Sequence, residues 1–489
     1  MVEGYRHKRA TRRRSDPRMR RHASTIAVGF FSLLECATVG CAGERVDLAP
    51  DLSTGGDAGI PANSILPPDA SHGSPAQTDA SETPGDGDQA TTADDGSLTE
   101  SSVSAMRGPT PPTSGSNYPF PQNRQSAGCT YPGGYKNSDV QAAYSQWKTD
   151  LVTSDGANGH FRVKRTANDG VDACRPLGST VSEGIGYGML AAVYMNDQPL
   201  FDGLWAFEQE NLDPNGLMNW APEGTGADCG GAATDADEDM AFALVMADRQ
   251  WGGQGALSQT YKQTAIGIIG RIWNTEVFQS KWLRAGDGDW ATNTNLNISY
   301  SAPAYYRVFQ SIDPNTSDDW SAVVEQTYAT IGDALSGNGN GANGLVPAWC
   351  DDSSQTTCRP GSPGTYQYDS CRTPFRIGLD WCWFAEPRAL AYVQKTSGFF
   401  AGVGAGNIAD GYALNGMPMP AHPGQLSAAF VGPAAVGAMS APLYQDFLNT
   451  AYAEVATGKL LAGGAYYEES WTLLALIMLT GNFVNYTAL

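Results

Sequence analysis

Residues 233–251 read ATDADEDMAFALVMADRQW and combine an acidic start with the apolar spacing of a helix. From Met240 onward, apolar residues recur three and four positions apart, which predicts a helix over residues 237–249. Negative charge is stabilised near a helix N-terminus by the macrodipole and by free backbone N–H groups. Taken alone, the acidic start is therefore explained by helix capping.

Two other acidic segments begin helical patterns in the same way. They are SEGIGYGM at residues 182–189 and YDSCRTP at residues 368–374. Carboxylates that are far apart in sequence but stand at the starts of successive helices indicate an acid/base site. Glycoside hydrolysis needs such a pair, one carboxylic acid and one carboxylate on opposite sides of a bond. The three glycines of SEGIGYGM each cost about 1 kcal/mol in a helix relative to alanine, so they predict close approach of a ligand or of another backbone.

Helical periodicity recurs through the last three quarters of the chain, and alternating strand patterns are scarce. These observations predict an all-α domain, with helical hairpins closed into an (α/α)6 barrel. Periodicity alone leaves an α-solenoid open, although no repeat of fixed length is present. The eleven predicted helices are 140–151, 183–195, 200–212, 237–249, 261–273, 302–312, 320–335, 374–393, 425–439, 444–456 and 468–483.

Composition divides the chain into three parts. Residues 1–41 have a basic start, a short apolar run and small residues before Cys41, which is typical of an export signal, with Cys41 a candidate for lipidation. Residues 42–117 contain no Phe, Trp or Tyr and are rich in Ser, Thr, Asp, Pro and Gly, which predicts a disordered linker that precedes the barrel. Residues 118–489 form the predicted catalytic domain. Whether translation starts at Met1 or Met19 is left open.

Charge limits the partners that we expect. The net charge is −21, and basic residues concentrate in the export signal, so the remainder is more acidic still. Nucleic acids and anionic membranes call for a basic patch. We therefore expect a polysaccharide partner, no nucleic acid, contact with a membrane only through a lipid at Cys41, and a monomer that is secreted or tethered to the bacterial surface.

Seven cysteines follow the export signal, so at least one thiol stays free. Cys350 and Cys358 flank a short polar loop and are the easiest pair to propose, whereas Cys382 between two tryptophans reads as the buried free thiol. Connectivity does not follow from sequence. The chain has no C-x-x-C pair and no histidine cluster, which argues against zinc, and we expect no metal site.

The three acidic segments resemble the motifs of glycoside hydrolase family 8. The resemblance covers the 233–251 segment, Ser182-Glu183-Gly184 with its following Tyr-Gly-Met, and Asp369 with Arg372-x-Pro374-x-Arg376, in the order of the family. It implies an (α/α)6 barrel that hydrolyses β-1,4-linked polysaccharides with inversion and without a cofactor. By the same resemblance, Glu183 is the general acid, Asp369 the general base and Asp235 the residue that holds the sugar ring. An inverting pair stands about 6.5–9.5 Å apart, which leaves room for water.

Aromatic rings and one arginine complete the predicted site. Arg372 lies three residues after Asp369, where it can pair with a carboxylate and keep the base ionised. Tyr300 is expected to help hold the nucleophilic water, with Tyr305 as the fallback. Sugars stack on aromatic faces. The expected substrate-binding aromatic residues are Tyr368, Trp220, Trp290 and Tyr300.

Several alternatives are weighed against an endo-acting β-1,4-glucanase. Asp369 favours the cellulase- and xylanase-like branch of the family over the chitosanase-like one, with xylan as the second substrate, and endo or exo action stays open. A non-catalytic surface glycan-binding protein would lose a catalytic carboxylate, but all three are present. The acidic residues from Asp235 do not fit a calcium-binding EF-hand loop, because Met240 and Met246 stand where such a loop needs Gly and Glu. The Glu183 segment and the export signal argue against a terpene cyclase. The chain has no G-x-S-x-G motif, so a serine hydrolase is not supported.

Overall fold

The computed structural model describes residues 116–351, 358–361, 363–457 and 464–489. The predicted export signal, Cys41 and nearly all of the predicted linker lie outside these residues. Twelve α-helices occur in the described ranges, and none of them is long and apolar enough to cross a bilayer. The helices are α1 Asn137–Leu151, α2 Ser182–Tyr194, α3 Gln198–Glu210, α4 Thr234–Gln250, α5 Tyr261–Thr275, α6 Pro303–Ile312, α7 Trp320–Ala334, α8 Thr373–Phe384, α9 Pro387–Val403, α10 Ala428–Ala438, α11 Gln445–Ala456 and α12 Tyr466–Leu479.

The strands are two residues long and belong to the loops between helices. They pair antiparallel as β1 with β2, β3 with β4, and β5 with β6 and β7. Their bounds are β1 Val152–Thr153, β2 Arg162–Val163, β3 Val277–Phe278, β4 Trp282–Leu283, β5 Asn295–Leu296, β6 Cys350–Asp351 and β7 Arg359–Pro360.

The even-numbered helices form an inner ring. Each of α2, α4, α6, α8, α10 and α12 packs on the next, and α12 closes the ring on α2. The odd-numbered helices pack outside this ring, for example α1 on α12, α3 on α2, and α9 on both α8 and α10. The predicted (α/α)6 barrel is therefore confirmed.

Burial follows the two rings. Every residue of α10 in the inner ring is buried, from Ala428 to Ala438, as expected for a helix that is apolar all round. Outer helix α1 instead buries one stripe at helical spacing, formed by Val140, Tyr144, Trp147 and Leu151.

The glycines of α2 permit close helix packing. A Cβ atom on Gly186 would lie 3.2 Å from the carbonyl oxygen of Ala236 in α4, and one on Gly188 would lie 2.8 Å from Leu204 in α3. Of the two explanations that the sequence offered, close approach of neighbouring helices is therefore the one that holds at these positions.

Residues 116–131 form a strap across the carboxyl ends of five inner helices. Asn117 N donates to the carbonyl of Gln250 at the end of α4, at 2.9 Å, and Gln122 Nε2 to that of Tyr194 at the end of α2, at 2.8 Å. Further along, the strap contacts the residues that follow α12 and α10 through Arg124 N to Gly481 O and Thr130 N to Met439 O, each at 2.7 Å. The strap thereby closes one end of the barrel.

A disulfide joins this strap to α8, the last of the five inner helices that it contacts, and corrects one prediction. Cys129 of the strap is bonded to Cys382 near the end of α8, so Cys382 is not the free thiol; that thiol is the buried Cys371. The tryptophans beside Cys382 suggested a core position, but a partner 253 residues away leaves no local signal. The predicted pair Cys350–Cys358 is confirmed, and the third disulfide is Cys174–Cys229.

One predicted helix is two helices in the structure. The pattern over 374–393 contains a break, because Ala385 adopts a left-handed conformation (φ 53°) and Glu386 starts a new helix at Pro387. Proline favours the first turn of a helix, where its missing N–H costs nothing. The remaining predicted helices differ from the structure only near their ends.

Candidate active site

The amino ends of the inner helices meet at the end of the barrel opposite the strap. Glu183 and Asp235 are each the second residue of their helices, α2 and α4. Tyr300 precedes α6 and Asp369 precedes α8, while Glu468 lies in the first turn of α12. The barrel topology thus brings together carboxylates that are far apart in sequence.

Arg372, directly before α8, joins two of these carboxylates. Its Nη1 atom lies 3.2 Å from Glu183 Oε1 and 2.5 Å from Asp235 Oδ2. The arginine is 1% exposed. We expected Arg372 to keep Asp369 ionised, but the pairing carboxylates are Glu183 and Asp235, because the side chain points across the ring toward α2 and α4.

Glu183 is held in an environment that favours its protonated form. Burial, aided by the charge of Asp235, raises the pKa of this carboxyl to about 7 against the opposing effects of Arg372 and of a hydrogen bond from Tyr187. The Tyr187 hydroxyl, one turn along α2, lies 2.5 Å from Glu183 Oε1. A carboxyl with a pKa near 7 can deliver a proton at neutral pH.

Asp369 is oriented by neutral donors. Gln367 Nε2 donates to its Oδ2 at 3.0 Å, and the indole Nε1 of Trp349 donates to the same oxygen at 3.3 Å. Its backbone carbonyl accepts from the Ser299 hydroxyl at 2.6 Å, and that hydroxyl also accepts from Arg372 Nε at 3.2 Å. The carboxylate is therefore fixed in direction, and no described residue hydrogen-bonds its Oδ1.

Glu183 and Asp369 line one cleft with a volume of about 410 Å³. Glu468, which also lines it, caps α10 by accepting from Ser427 Oγ at 2.7 Å and from Ala428 N at 2.6 Å. Burial raises the pKa of Glu468 to about 7 as well. The remaining lining residues are Arg165, Asn168, Asp169, Gly170, Arg175, Tyr368, His422, Ala465, Tyr466 and Tyr467.

The predicted aromatic residues occupy three different places. Tyr368 lines the cleft beside Asp369. The half-buried rings of Trp220 and Trp290 meet edge to face at 6.4 Å, and each indole N–H is held by a backbone carbonyl. Tyr300 lies under the arginine that joins the two carboxylates, 4.9 Å from ring centroid to guanidinium carbon.

Tyr305 does not reach this site. It is fully buried, stacks on Phe242 at 3.9 Å between ring centroids and lies beneath Arg376. Arg376 in turn forms a buried bidentate pair with Asp239. Tyr305 therefore belongs to the barrel core, and the fallback role considered for it is not supported.

Sequence reasoning missed several residues of the site. Tyr187 could have been found, because it follows Glu183 by four residues on one helix face. Gln367 could also have been found, because it stands two residues before Asp369 and donates to it. Trp349 contacts Asp369 from an earlier part of the same loop, and Tyr467 and His422 reach the cleft from other parts of the barrel. Among the described residues, no group of three or more His, Cys, Asp or Glu side chains is arranged to hold a metal ion.

Comparison with known proteins agrees with this geometry. The family model described as glycosyl hydrolases family 8 matches residues 124–481. Endoglucanase A of Acetivibrio thermocellus is 37% identical over 352 residues, which are 71% of this chain and 70% of that protein. The beta-glucanase of Niallia circulans is 33% identical over 398 residues, which are 76% of this chain and 92% of that protein.

A solved structure shows the same architecture. The apo structure of a beta-1,3-1,4-glucanase from Paenibacillus sp. X4 matches with a TM-score of 0.66 at 31% identity, covering 75% of this chain and 98% of that chain. The barrel and its carboxylate-lined cleft are those of a glycoside hydrolase. The chain belongs to glycosyl hydrolases family 8.

Proposed function

We propose that this protein is an inverting, endo-acting β-1,4-glucanase in which Glu183 is the general acid and Asp369 the general base. Glu183 protonates the leaving glycosidic oxygen, and Asp369 takes a proton from the water that attacks the other face of the sugar. The division of labour requires one protonated and one ionised carboxyl in the same cleft.

The observation that carries this proposal is the contrast between the surroundings of the two carboxyls. Burial and the nearby charge of Asp235 raise the pKa of Glu183 to about 7. Asp369 instead accepts hydrogen bonds from the neutral donors Gln367 and Trp349. Carboxyls whose environments differ in this way can serve as acid and base at the same pH.

We propose that Asp235 holds the sugar ring at the cleavage subsite. Arg372 neutralises its Oδ2, and no described residue hydrogen-bonds its Oδ1. That oxygen is the natural acceptor for a sugar hydroxyl beside Glu183. Tyr300, which stacks on Arg372, supports this arrangement from below, and we keep it as the residue that helps hold the water.

β-1,4-Glucan, as cellulose or mixed-linkage glucan, is the proposed substrate. The relatives named above are called endoglucanase and beta-glucanase, and their sequences cover most of this domain. Xylan remains the second candidate because it differs from glucan only by the absence of a hydroxymethyl group on each sugar. Room for that group at the cleavage subsite decides between them.

We further propose that the enzyme is exported, works as a monomer and is secreted or tethered to the cell surface through Cys41. Three disulfides among the described residues support an oxidising compartment. Mass spectrometry of the mature amino terminus checks both cleavage and lipidation, and an unprocessed chain in the cytoplasm would contradict export.

The catalytic assignment is tested by two isosteric variants. Glu183→Gln and Asp369→Asn should each lose at least about a hundredfold in kcat while keeping the wild-type unfolding temperature. Product analysis on carboxymethylcellulose, lichenan, xylan and chitosan identifies the substrate. An NMR time course should show an α-anomeric first product; a β-anomeric one would exclude inversion, and near-normal turnover of either variant would exclude the assignment.

A further inference from the structure

We propose that His422 binds a sugar hydroxyl in the cleft and that Asp410 is the positioning residue that holds it there. The proposal rests on the proposed function, because it concerns how that same cleft binds its polysaccharide. Neither residue belongs to any of the three acidic segments, and the sequence assigned a role to neither.

Asp410 organises one wall of the cleft from a fully buried position. Its Oδ2 atom lies 2.6 Å from His422 Nδ1 and accepts from the Tyr368 hydroxyl at 2.9 Å. The backbone N–H of His422 also donates to both Asp410 oxygens, at 3.1 Å each. One carboxylate thus orients two side chains that line the cleft.

This contact determines which nitrogen of His422 faces the substrate. Because Nδ1 is held by Asp410, Nε2 is the ring nitrogen left for the substrate. The His422 side chain is 49% exposed, and no described residue hydrogen-bonds Nε2. Nε2 is therefore available to a sugar hydroxyl in the cleft that Tyr368 and Asp369 also line.

Tyr368 is held more firmly than His422. Its ring meets Phe430 edge to face at 5.2 Å and Tyr467 at 5.9 Å, and the Tyr467 hydroxyl donates to the Tyr368 carbonyl at 3.0 Å. His422 lies on an exposed loop and has Asp410 as its anchor. A rigid aromatic face beside an oriented polar group is the arrangement that sugar binding requires.

A simpler explanation is that Asp410 and His422 only fasten the loop to the barrel. The two explanations differ in what the loss of the imidazole changes. A fastening role affects the unfolding temperature, whereas a binding role affects the KM and leaves the fold intact. The KM reports binding when chemistry is slow relative to dissociation.

The first experiment compares kinetics on the soluble oligosaccharide of six units that the wild type cleaves. His422→Ala should raise the KM about fivefold, the effect of one net hydrogen bond, with kcat within twofold and an unchanged unfolding temperature. His422→Gln keeps a hydrogen-bonding group and should recover most of the loss. His160→Ala is the matched control, because His160 pairs with Glu210 and does not line the cleft. An unchanged KM in His422→Ala overturns the proposal.

The second experiment separates this inference from the catalytic assignment. In a Glu183→Gln background, titration calorimetry with the same oligosaccharide should show a severalfold weaker Kd when His422→Ala is added. Adding His422→Ala to Asp410→Asn should produce little further weakening, because Asp410 acts through His422; a full additional loss would exclude the positioning role. If Glu183→Gln stays active, the proposed function fails, and the KM comparison of the first experiment still tests this inference.

Discussion

The Tyr187 hydroxyl donates to Glu183 Oε1 from one turn further along α2, across 2.5 Å. This hydrogen bond favours the charged carboxylate and so opposes the burial that raises the pKa of Glu183 to about 7. Burial thus has the largest effect and favours the protonated form of Glu183, whereas Arg372 and Tyr187 have smaller effects that favour its ionised form. Two substitutions test this balance in opposite directions.

Tyr187→Phe should move the alkaline limb of the kcat/KM profile to higher pH. Removal of the hydroxyl raises the pKa of Glu183, so the acid stays protonated further above pH 7. Asp235→Asn should move the limb to lower pH, because its charge raises that pKa, and should also reduce activity. Glu468 has a pKa near 7 too, but neither substitution touches it. A limb that stays in place in both variants would assign the titration to another group.

Trp349→Phe should lower kcat about tenfold, equivalent to about 1.4 kcal/mol. The substitution removes the indole N–H that lies 3.3 Å from Asp369 Oδ2 but keeps an aromatic ring against Tyr300. Steady-state kinetics should show little change in KM, because the lost contact orients the base and not the substrate. A rise in KM with constant kcat would instead make Trp349 a sugar platform.

Replacement of Cys129 and Cys382 together by serine should lower the unfolding temperature by about 5 °C or more. The bond joins residues 253 apart, so its loss frees much more chain than loss of the Cys350–Cys358 bond, which spans 8. Scanning calorimetry at one fixed heating rate compares the two double variants. Equal losses would show that the strap is held by its hydrogen bonds alone.

Asp237→Asn should make stability less dependent on pH. Burial and the nearby Glu276 raise the pKa of Asp237 well above its usual range, so the folded state keeps a proton that the unfolded chain releases. This contribution is fully present below the unfolded pKa of about 4 and is lost as pH rises toward the folded pKa.

Urea unfolding at pH 5 and pH 8 measures the difference. The wild type should lose more free energy of unfolding between the two than Asp237→Asn does, and the exposed Asp446→Asn serves as the control. Equal losses in all three proteins would show that the carboxyl is ionised in the folded state.

The acidic helix starts could be predicted because their signals are local. Glu183 and Asp235 each stand beside residues that also determine where a helix begins. One short segment therefore predicts both the start of the helix and the residue of the site. Pro387 also indicates where α8 ends and α9 begins. The apolar pattern continues across this boundary, however, so the sequence predicted one helix and missed the left-handed conformation of Ala385.

The rest of the site depends on ring closure and on loop conformation. The carboxylate partners of Arg372 lie on α2 and α4, on the other side of the ring. Trp349 meets Asp369 because the loop between α7 and α8 folds back on itself. No local pattern reports such distances. For the same physical reason, the sequence does not reveal that Cys129 is the partner of Cys382. The two residues meet only because the strap crosses the carboxyl ends of the inner helices.

The strap has a practical consequence for how this enzyme can be attached to other molecules. Ser116 and Asn117 contact Gln250 at the carboxyl end of α4, while Glu183 and Asp369 lie at the opposite end of the inner helices. A fusion partner or solid support joined just before Ser116 would sit behind the barrel. An immobilised catalyst made in this way would present its cleft outward to an insoluble polymer.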